Sequence, residues 1–358
     1  MYDDTRAATA PFSHVGGTGA VIRLSLVNLL LNIVTLSLWR FWGKTRVRRL
    51  LWSGTVAWGD PAEYTGKGGE LFIGFLLALF LVFLPLVIAM AALQAQVQSG
   101  QMWAGPGIFI VQVLFVVLAG AGLYRARRYQ LSRTLWRGIR GGQQGSALRY
   151  GALMLWVGVA SLFTLGWAWP WGEMKLARYR MDNTTFGDSR FSCEAKAKPL
   201  YRRFALLWLS GIVFFAGIVA AGVAISQRLN KPEDSVGVIA LAYVALILWG
   251  LLTVAVPYAW YRAGFYRQLA DHTRYCGAAF TLEATAGSLI RLAFGNAVVA
   301  FLSLGVLRPW TALRTFRYVC QHLRVVGEPD WERVGQSTDK APGVGEGLAA
   351  VFDGAGEF

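Results

Sequence analysis

The chain has 358 residues, of which 55% are hydrophobic and only 15% charged, and its formal net charge is +15. A soluble domain carries about a quarter charged residues, so too few polar side chains are present here to cover a water-facing surface. Composition therefore excludes an ordinary soluble protein and points to an integral membrane protein.

The first residues are polar and include Asp3 and Asp4, and the first apolar run ends without a small-residue cleavage site, so no cleavable signal peptide is expected. That run, Val21–Trp42, carries a phrase that returns twice. Its copies are Thr35-Leu36-Ser37 with Trp42, Thr164-Leu165-Gly166 with Trp171, and Ser303-Leu304-Gly305 with Trp310. In each copy the tryptophan stands seven residues after the hydroxyl residue, preceded by Phe41, Pro170 and Pro309 in turn. Recurrence at fixed spacing marks a duplicated structural unit.

After the first copy come Arg40, Lys44, Arg46, Arg48 and Arg49, then Trp58-Gly59-Asp60-Pro61 reaching Tyr64. Turn residues flanked by aromatics predict a short β-hairpin there. Two apolar stretches follow, Leu71–Leu93 and Ile108–Tyr124, joined by the uncharged segment Gln94–Gly107 and closed by Arg125, Arg127 and Arg128. The second copy lies in Tyr150–Trp171, with a second predicted hairpin at Phe186-Gly187-Asp188-Ser189 reaching Phe191. Phe204–Ser226 and Val236–Tyr261 form another apolar pair, separated by the charge-balanced loop Gln227–Ser235. The third copy lies in Leu289–Trp310, and a third hairpin is predicted at Val326-Gly327-Glu328-Pro329 reaching Trp331. From Gly335 the Gly-rich tail lacks periodicity and is expected to be disordered. Each of the four apolar stretches is close to or above the roughly 20 residues that a bilayer requires, and none contains Asp, Glu, Lys, Arg or His.

Lys and Arg near span ends favour the cytoplasmic side. The two loops poor in basic residues are thus external and the rich ones internal. Each motif segment has basic residues at both ends, with Arg23, Arg149 and Arg291 at or beside its start. We therefore expect re-entrant helices or helical hairpins that leave from and return to the cytoplasmic face, broken at Pro170 and Pro309 and eased by Gly166 and Gly305. Irregular backbone at membrane depth must be buried in protein or line a wet cavity, so these segments are expected inside the bundle. The competing arrangement has seven spanning helices, with the first two units as an inverted pair. The predicted fold class is an all-α polytopic membrane protein of tandem repeats with short cytoplasmic β-hairpins. Its predicted parts are an N-terminal segment 1–19, units 20–124, 125–261 and 262–334 (the last a motif segment alone), and a tail 335–358.

The run Val27-Asn28-Leu29-Leu30 through Thr35-Leu36, Trp42 and Lys44-Thr45-Arg46-Val47-Arg48-Arg49 resembles the bacterial inner-membrane protein family of unknown function that includes YjgN. Tyr124-Arg125-Ala126-Arg127, Arg137-Gly138-Ile139-Arg140 and Thr164-Leu165-Gly166 with Pro170-Trp171 carry the same resemblance, which covers about Phe12 to Gly327. Ser37 departs from it, standing where a glycine is expected and weakening the case for a tight bend. The resemblance implies a bacterial inner-membrane location and brings no activity.

Candidate chemistry is sparse. Asn28 and Asn32 share one helical face, and Asn296 takes the place of Asn28 in the third copy. They fit either helix–helix bonding or a polar substrate path. Trp42, Trp171 and Trp310 fit interfacial anchoring or ligand stacking. Arg46, Arg48, Arg49, Arg125, Arg127 and Arg128 fix topology or contact anionic phospholipid, each gaining on the order of 1 kcal/mol near the surface. His272 with Cys276 and Cys320 with His322 match no common zinc module, and His14 has no partner in sequence, so no metal is expected. No cofactor, catalytic residue or nucleic-acid partner is expected, since hydrolase, phosphate-loop and metalloprotease motifs are absent and no nucleic-acid-binding fold accompanies the charge. The sequence leaves two leading readings, ahead of a third, a membrane enzyme acting on lipid, for which Asp188, Glu173 and His272 are poor candidates. In one, a cytoplasm-facing cavity binds or passes a small solute or lipid; in the other, an interaction protein has a basic face for anionic lipid or an unknown protein partner.

Overall fold

Apolar composition at helical length makes most of this chain helical, and short β-prone segments join the helices. The computed structural model describes residues 9–229 and 235–337. Residues 1–8, the middle of the expected loop Gln227–Ser235 and nearly all of the expected tail lie outside the described residues.

Four helical runs are long and apolar enough to cross a membrane: Gly68–Gln98, Ala104–Ser132, Lys198–Gln227 and Ala240–Asp271, of 31, 29, 30 and 32 residues. At 1.5 Å per residue each exceeds about 40 Å, against a hydrocarbon core of about 30 Å. The first joins α3 (Gly68–Ala78) to α4 (Leu84–Gln98) through a π-turn, Leu79–Phe83. The last joins α9 (Ser235–Gly250) to α10 (Val256–Asp271) through a π-turn, Leu251–Ala255. Pro85 and Pro257 follow these turns; a proline inside a helix leaves a carbonyl without its donor, and the widened turn absorbs it. The second run is α5 (Ala104–Ser132), and most of the third belongs to α8 (Tyr201–Leu229). The loop expected over Gln94–Gly107 shrinks to the residues between Gln98 and Ala104.

The three motif segments form helical hairpins. Their first arms are α1 (Thr18–Val34), α6 (Ala147–Phe163) and α11 (Ala286–Leu302), each of 17 residues. Their returning arms are α2 (Arg40–Gly54), α7 (Trp169–Asp182) and α12 (Arg308–His322). At about 25 Å a first arm is shorter than the hydrocarbon core. Hairpin two docks on α5 through bare backbone. A Cβ on Gly151 would stand 2.1 Å from the Val117 carbonyl oxygen, and one on Gly120 2.9 Å from the Gly151 Cα.

The strands do not remain separate hairpins, as the sequence suggested, but pair edge to edge into two antiparallel sheets. One has seven strands in sequence order: β1 (Phe12–His14), β2 (Thr55–Ala57), β3 (Asp60–Tyr64), β4 (Thr134–Trp136), β5 (Ile139–Gln143), β6 (Thr184–Phe186) and β7 (Ser189–Arg190). The other runs β11 (Leu323–Val326), β10 (Ala278–Leu282), β9 (Thr273–Tyr275) and β8 (Ser192–Cys193). Only Phe191 separates β7 from β8, and Thr9 exchanges backbone bonds of 2.9 and 3.0 Å with Val325 of β11. The two sheets therefore close into a single circuit.

Local chemistry repeats around it. A threonine begins β2, β4, β6 and β9, and the hydroxyls of Thr55, Thr134, Thr184 and Thr273 each donate to the carbonyl four residues back in the preceding helix. Trp58-Gly59, Arg137-Gly138 and Cys276-Gly277 then take positive φ at both positions, the geometry of a tight hairpin turn. The β4–β5 and β9–β10 hairpins follow the second and fourth long apolar runs, where no hairpin is expected from sequence. The third predicted hairpin is a correction: β11 is a single strand beside β10, and Trp331 leaves it to sit among Trp58, Trp136, Phe186 and Tyr275, with ring centroids 4.9–6.5 Å away. Gly335 and Gln336, expected to be disordered, bond to Asp188, Gly138 and Arg140 across the hairpin tips.

The chain thus leaves this strand layer for a helical pair and returns to it each time, through three short pairs and two long ones in alternation.

Candidate functional site: apolar corners and a basic groove

Each short hairpin turns through one and the same corner. The hydroxyls of Thr35, Thr164 and Ser303 donate to the carbonyls of Leu31, Ala160 and Val299 at 2.7 Å, closing the first arm. The same oxygens accept from the amides of Trp39, Ala168 and Leu307 at 2.9–3.1 Å, opening the returning arm. One side chain therefore caps two helices, which explains why the motif begins with a hydroxyl. Leu36, Leu165 and Leu304 follow with φ of 49°, 50° and 48°, a left-handed conformation that costs a residue with a Cβ roughly 1–2 kcal/mol. The next amide, of Ser37, Gly166 or Gly305, reaches back five residues to a carbonyl at 2.6–2.7 Å. All six amides from Thr35 to Arg40, from Thr164 to Trp169 and from Ser303 to Arg308 are bonded within their corner. The bend at Ser37 matches the two at glycine, against the sequence expectation.

These self-satisfied corners present strongly exposed leucines. Leu36 is 89% exposed, Leu165 78% and Leu304 92%. The expectation that the motif segments pack inside the bundle therefore fails at their tips. Corner one lies against the first long apolar run, with the Arg40 guanidinium 4.9 Å from the Phe75 ring. Corner two lies against the start of the third, where Trp208 donates its indole N–H to Leu165 O at 2.8 Å.

Asn28 and Asn296 bond across their own hairpins. Asn28 is buried, accepts from the Trp39 indole at 3.2 Å and reaches Gly43 O at 3.5 Å. Asn296 donates to Thr315 Oγ1 at 3.3 Å and reaches Thr311 O at 3.5 Å. Hairpin two holds Val157 and Gly172 at the corresponding places, so close that a Cβ on Gly172 would meet a Val157 methyl at 2.1 Å. The Asn32 side chain is half-buried on the same arm as Asn28. The three motif tryptophans do not converge. Trp42 stacks on Trp39 at 6.0 Å, Trp171 carries Lys175 over its ring at 4.7 Å, and Trp310 packs against the buried cluster that includes Leu51, Trp52 and Leu313.

The arginines divide. Arg46 and Arg49 are exposed and form a ridge between two grooves. One groove, of about 720 Å³, has apolar walls from Ala20, Leu24, Val27 and Leu50 and a rim of Arg23, Arg46, Arg49 and Glu63. The other, of about 460 Å³, is lined by Trp39, Trp42, Lys67 and Glu70 beside the same two arginines. Glu70 is occupied, since Arg133 pairs with it at 2.9 Å and Tyr129 donates to it at 2.7 Å. Arg49 gives one nitrogen to Gly66 O at 2.9 Å, and Arg46 stacks on Trp39 at 4.9 Å. Arg48 corrects the sequence expectation. It is 2% exposed, donates to Tyr64 Oη at 3.0 Å and lines neither groove. The stripe Phe41, Thr45, Arg48 and Trp52, all buried, has the helical spacing that could have revealed this. Arg125 is exposed, Arg127 half-buried and Arg128 bonded to Gly145 O over the Tyr124 ring, at the strand end of α5 and outside these grooves. Arg23 and Lys67 complete the site, and sequence reading did not assign them to it.

Among the described residues no group of three or more His, Cys, Asp or Glu is placed to hold a metal ion. His272 and His322 face carbonyls of their own helices, Gln268 and Tyr318, at 3.0 and 2.8 Å. His14 does have partners, facing Leu51 O at 3.2 Å and accepting from the Gly16 amide at 3.1 Å. Burial, then the nearby Arg317 charge, lowers its pKa from the ordinary 6.5.

A relative described as "Inner membrane protein YjgN", from Salmonella typhimurium, is 28% identical over 146 residues, which are 41% of this chain and 34% of that protein. The match therefore spans about a third of the relative's length. No solved structure matches the chain. The family described as "Bacterial protein of unknown function (DUF898)" matches residues 9–351. A match over nearly the whole length, on a chain with four helices long and apolar enough to cross a bilayer, identifies a membrane protein that belongs to this bacterial family of unknown function.

Proposed function

We propose that this is a multi-pass protein of the bacterial inner membrane, with its strand layer in the cytoplasm, that binds anionic phospholipid in the groove beside hairpin one. Basic residues crowd the strand end of every helical pair, which supports the orientation. In this reading the chain is a set of tandem units, each a re-entering hairpin followed by two spans, with the third unit a hairpin alone. The relative's inner-membrane description supports the location. The reading involves no catalytic step.

The observation that carries the lipid reading is the groove itself. Arg23, Arg46 and Arg49 rim an apolar trough formed by Leu24, Val27 and Leu50, which suits a phosphate above an acyl chain. Each cation near an anionic surface contributes on the order of 1 kcal/mol, so replacing all three by Ala should weaken binding about a hundredfold. The test is retention of phosphatidylglycerol against phosphatidylcholine by purified protein, followed by native mass spectrometry. Selective loss of phosphatidylglycerol from the triple variant is expected. Equal retention by both proteins contradicts the reading.

A further inference from the structure

We infer that the protein is a membrane wedge, broader in the cytoplasmic leaflet than in the outer one, which favours bilayers whose cytoplasmic face is convex. The inference rests on the proposed orientation but goes beyond lipid binding at the groove.

It starts from the three corners. A tip aimed at water would expose polar groups; these expose leucine in a strained conformation, between 78% and 92% accessible. Their six consecutive amides are bonded internally, so they meet the condition that hydrocarbon imposes on non-helical backbone. Val34, Phe163, Phe301 and Leu302 extend the apolar surface. The occupant that fits is the acyl-chain region of one leaflet.

Depth follows from the spans alongside. Corner one touches Phe75 and corner two touches Trp208, each four residues past the first residue of its apolar stretch, Leu71 or Phe204. At 1.5 Å per residue that is about 6 Å into the hydrocarbon, the insertion depth of interfacial helices. Arg40 keeps its guanidinium over the Phe41 and Phe75 rings, while Arg308 begins the returning arm of corner three, where its stem lets the guanidinium reach the phosphates. Three such tips enlarge the cytoplasmic leaflet around the spanning runs and nothing matches them on the far side among the described residues. Area added to one leaflet bends the bilayer toward it, and binding of this kind is curvature-sensitive.

The test uses the full chain reconstituted in giant vesicles of phosphatidylcholine and phosphatidylglycerol, from which a narrow tether is drawn. With the strand layer outward, protein density in the tether should exceed that on the sphere by about twofold or more. With the strand layer inward, the tether should be depleted. That reversal needs no variant. The combined change Leu36→Asn, Leu165→Asn and Leu304→Asn should bring both ratios to one. Equal densities in both orientations, or enrichment in both, overturn the wedge while leaving the orientation standing. Cysteine labels on opposite faces at the two ends of one hairpin overturn the orientation and the wedge with it.

Discussion

Hairpins one and two turn the same corner with different residues. At the third corner position hairpin one has Ser37 and hairpin two Gly166, yet φ is positive in both, 69° and 92°. Seven residues before the hydroxyl, one has the hydrogen-bonded Asn28 and the other Val157, packed on Gly172. What both keep is the bridging hydroxyl and the left-handed leucine. The corner is therefore set by the double cap, while glycine and asparagine adjust it. Docking differs as well. Hairpin one leans on α12, where Trp52 meets Phe316 at 5.2 Å, and hairpin two lies on α5 through Gly151.

That contrast can be broken most severely at Gly151. An added methyl would collide with the Val117 carbonyl at 2.1 Å, and Gly151→Ala should cost about 3 kcal/mol through displaced backbone. Gly158→Ala on the same helix meets open space and serves as its control; thermal unfolding of purified protein would separate them. Next in size is the hydroxyl. Thr164→Val leaves the Ala168 amide without its acceptor and should cost about 1–3 kcal/mol, with Thr35→Val similar and Thr→Ser nearly neutral.

A smaller effect involves His14, which ties β1 to hairpin one. Its pKa is lowered on folding, so the unfolded chain takes up the proton first. Stability should be unaffected well above pH 6.5, fall as pH drops below that value, and level off beneath the folded pKa. Melting between pH 8 and 5 should show the decline, and His14→Gln should remove that part of it. The smallest change sharpens the comparison in the other direction. Ser37→Gly relieves a left-handed residue and should stabilise hairpin one by roughly 1 kcal/mol.

The four helical runs long and apolar enough to cross a bilayer are legible because apolar length is a local property. So was the recurrence of the hydroxyl–tryptophan phrase, though not its purpose, since nothing in Thr-Leu-Gly says that leucine takes the left-handed place. Arg48 was misjudged because its chemistry equals that of Arg46 and Arg49, and only the buried stripe through Phe41 and Trp52 sets it apart. The hairpins after α5 and α10 are less legible because their signal, a threonine followed by an aromatic and a turn glycine, stands there without the motif ahead of it. The contacts of Trp331 with Trp58 and Trp136 join residues far apart in sequence, which no local pattern announces.

The most direct test of the account concerns hairpin two, between the exposed residues Arg149 and Lys196. Cysteines placed there would be probed with a membrane-impermeant maleimide, with a cysteine at Met102 marking the far side. The account predicts that Met102 reacts in intact cells, while positions 149 and 196 react only in inside-out vesicles. Labelling of position 196 from outside intact cells would show that the segment crosses the bilayer, contradicting the account.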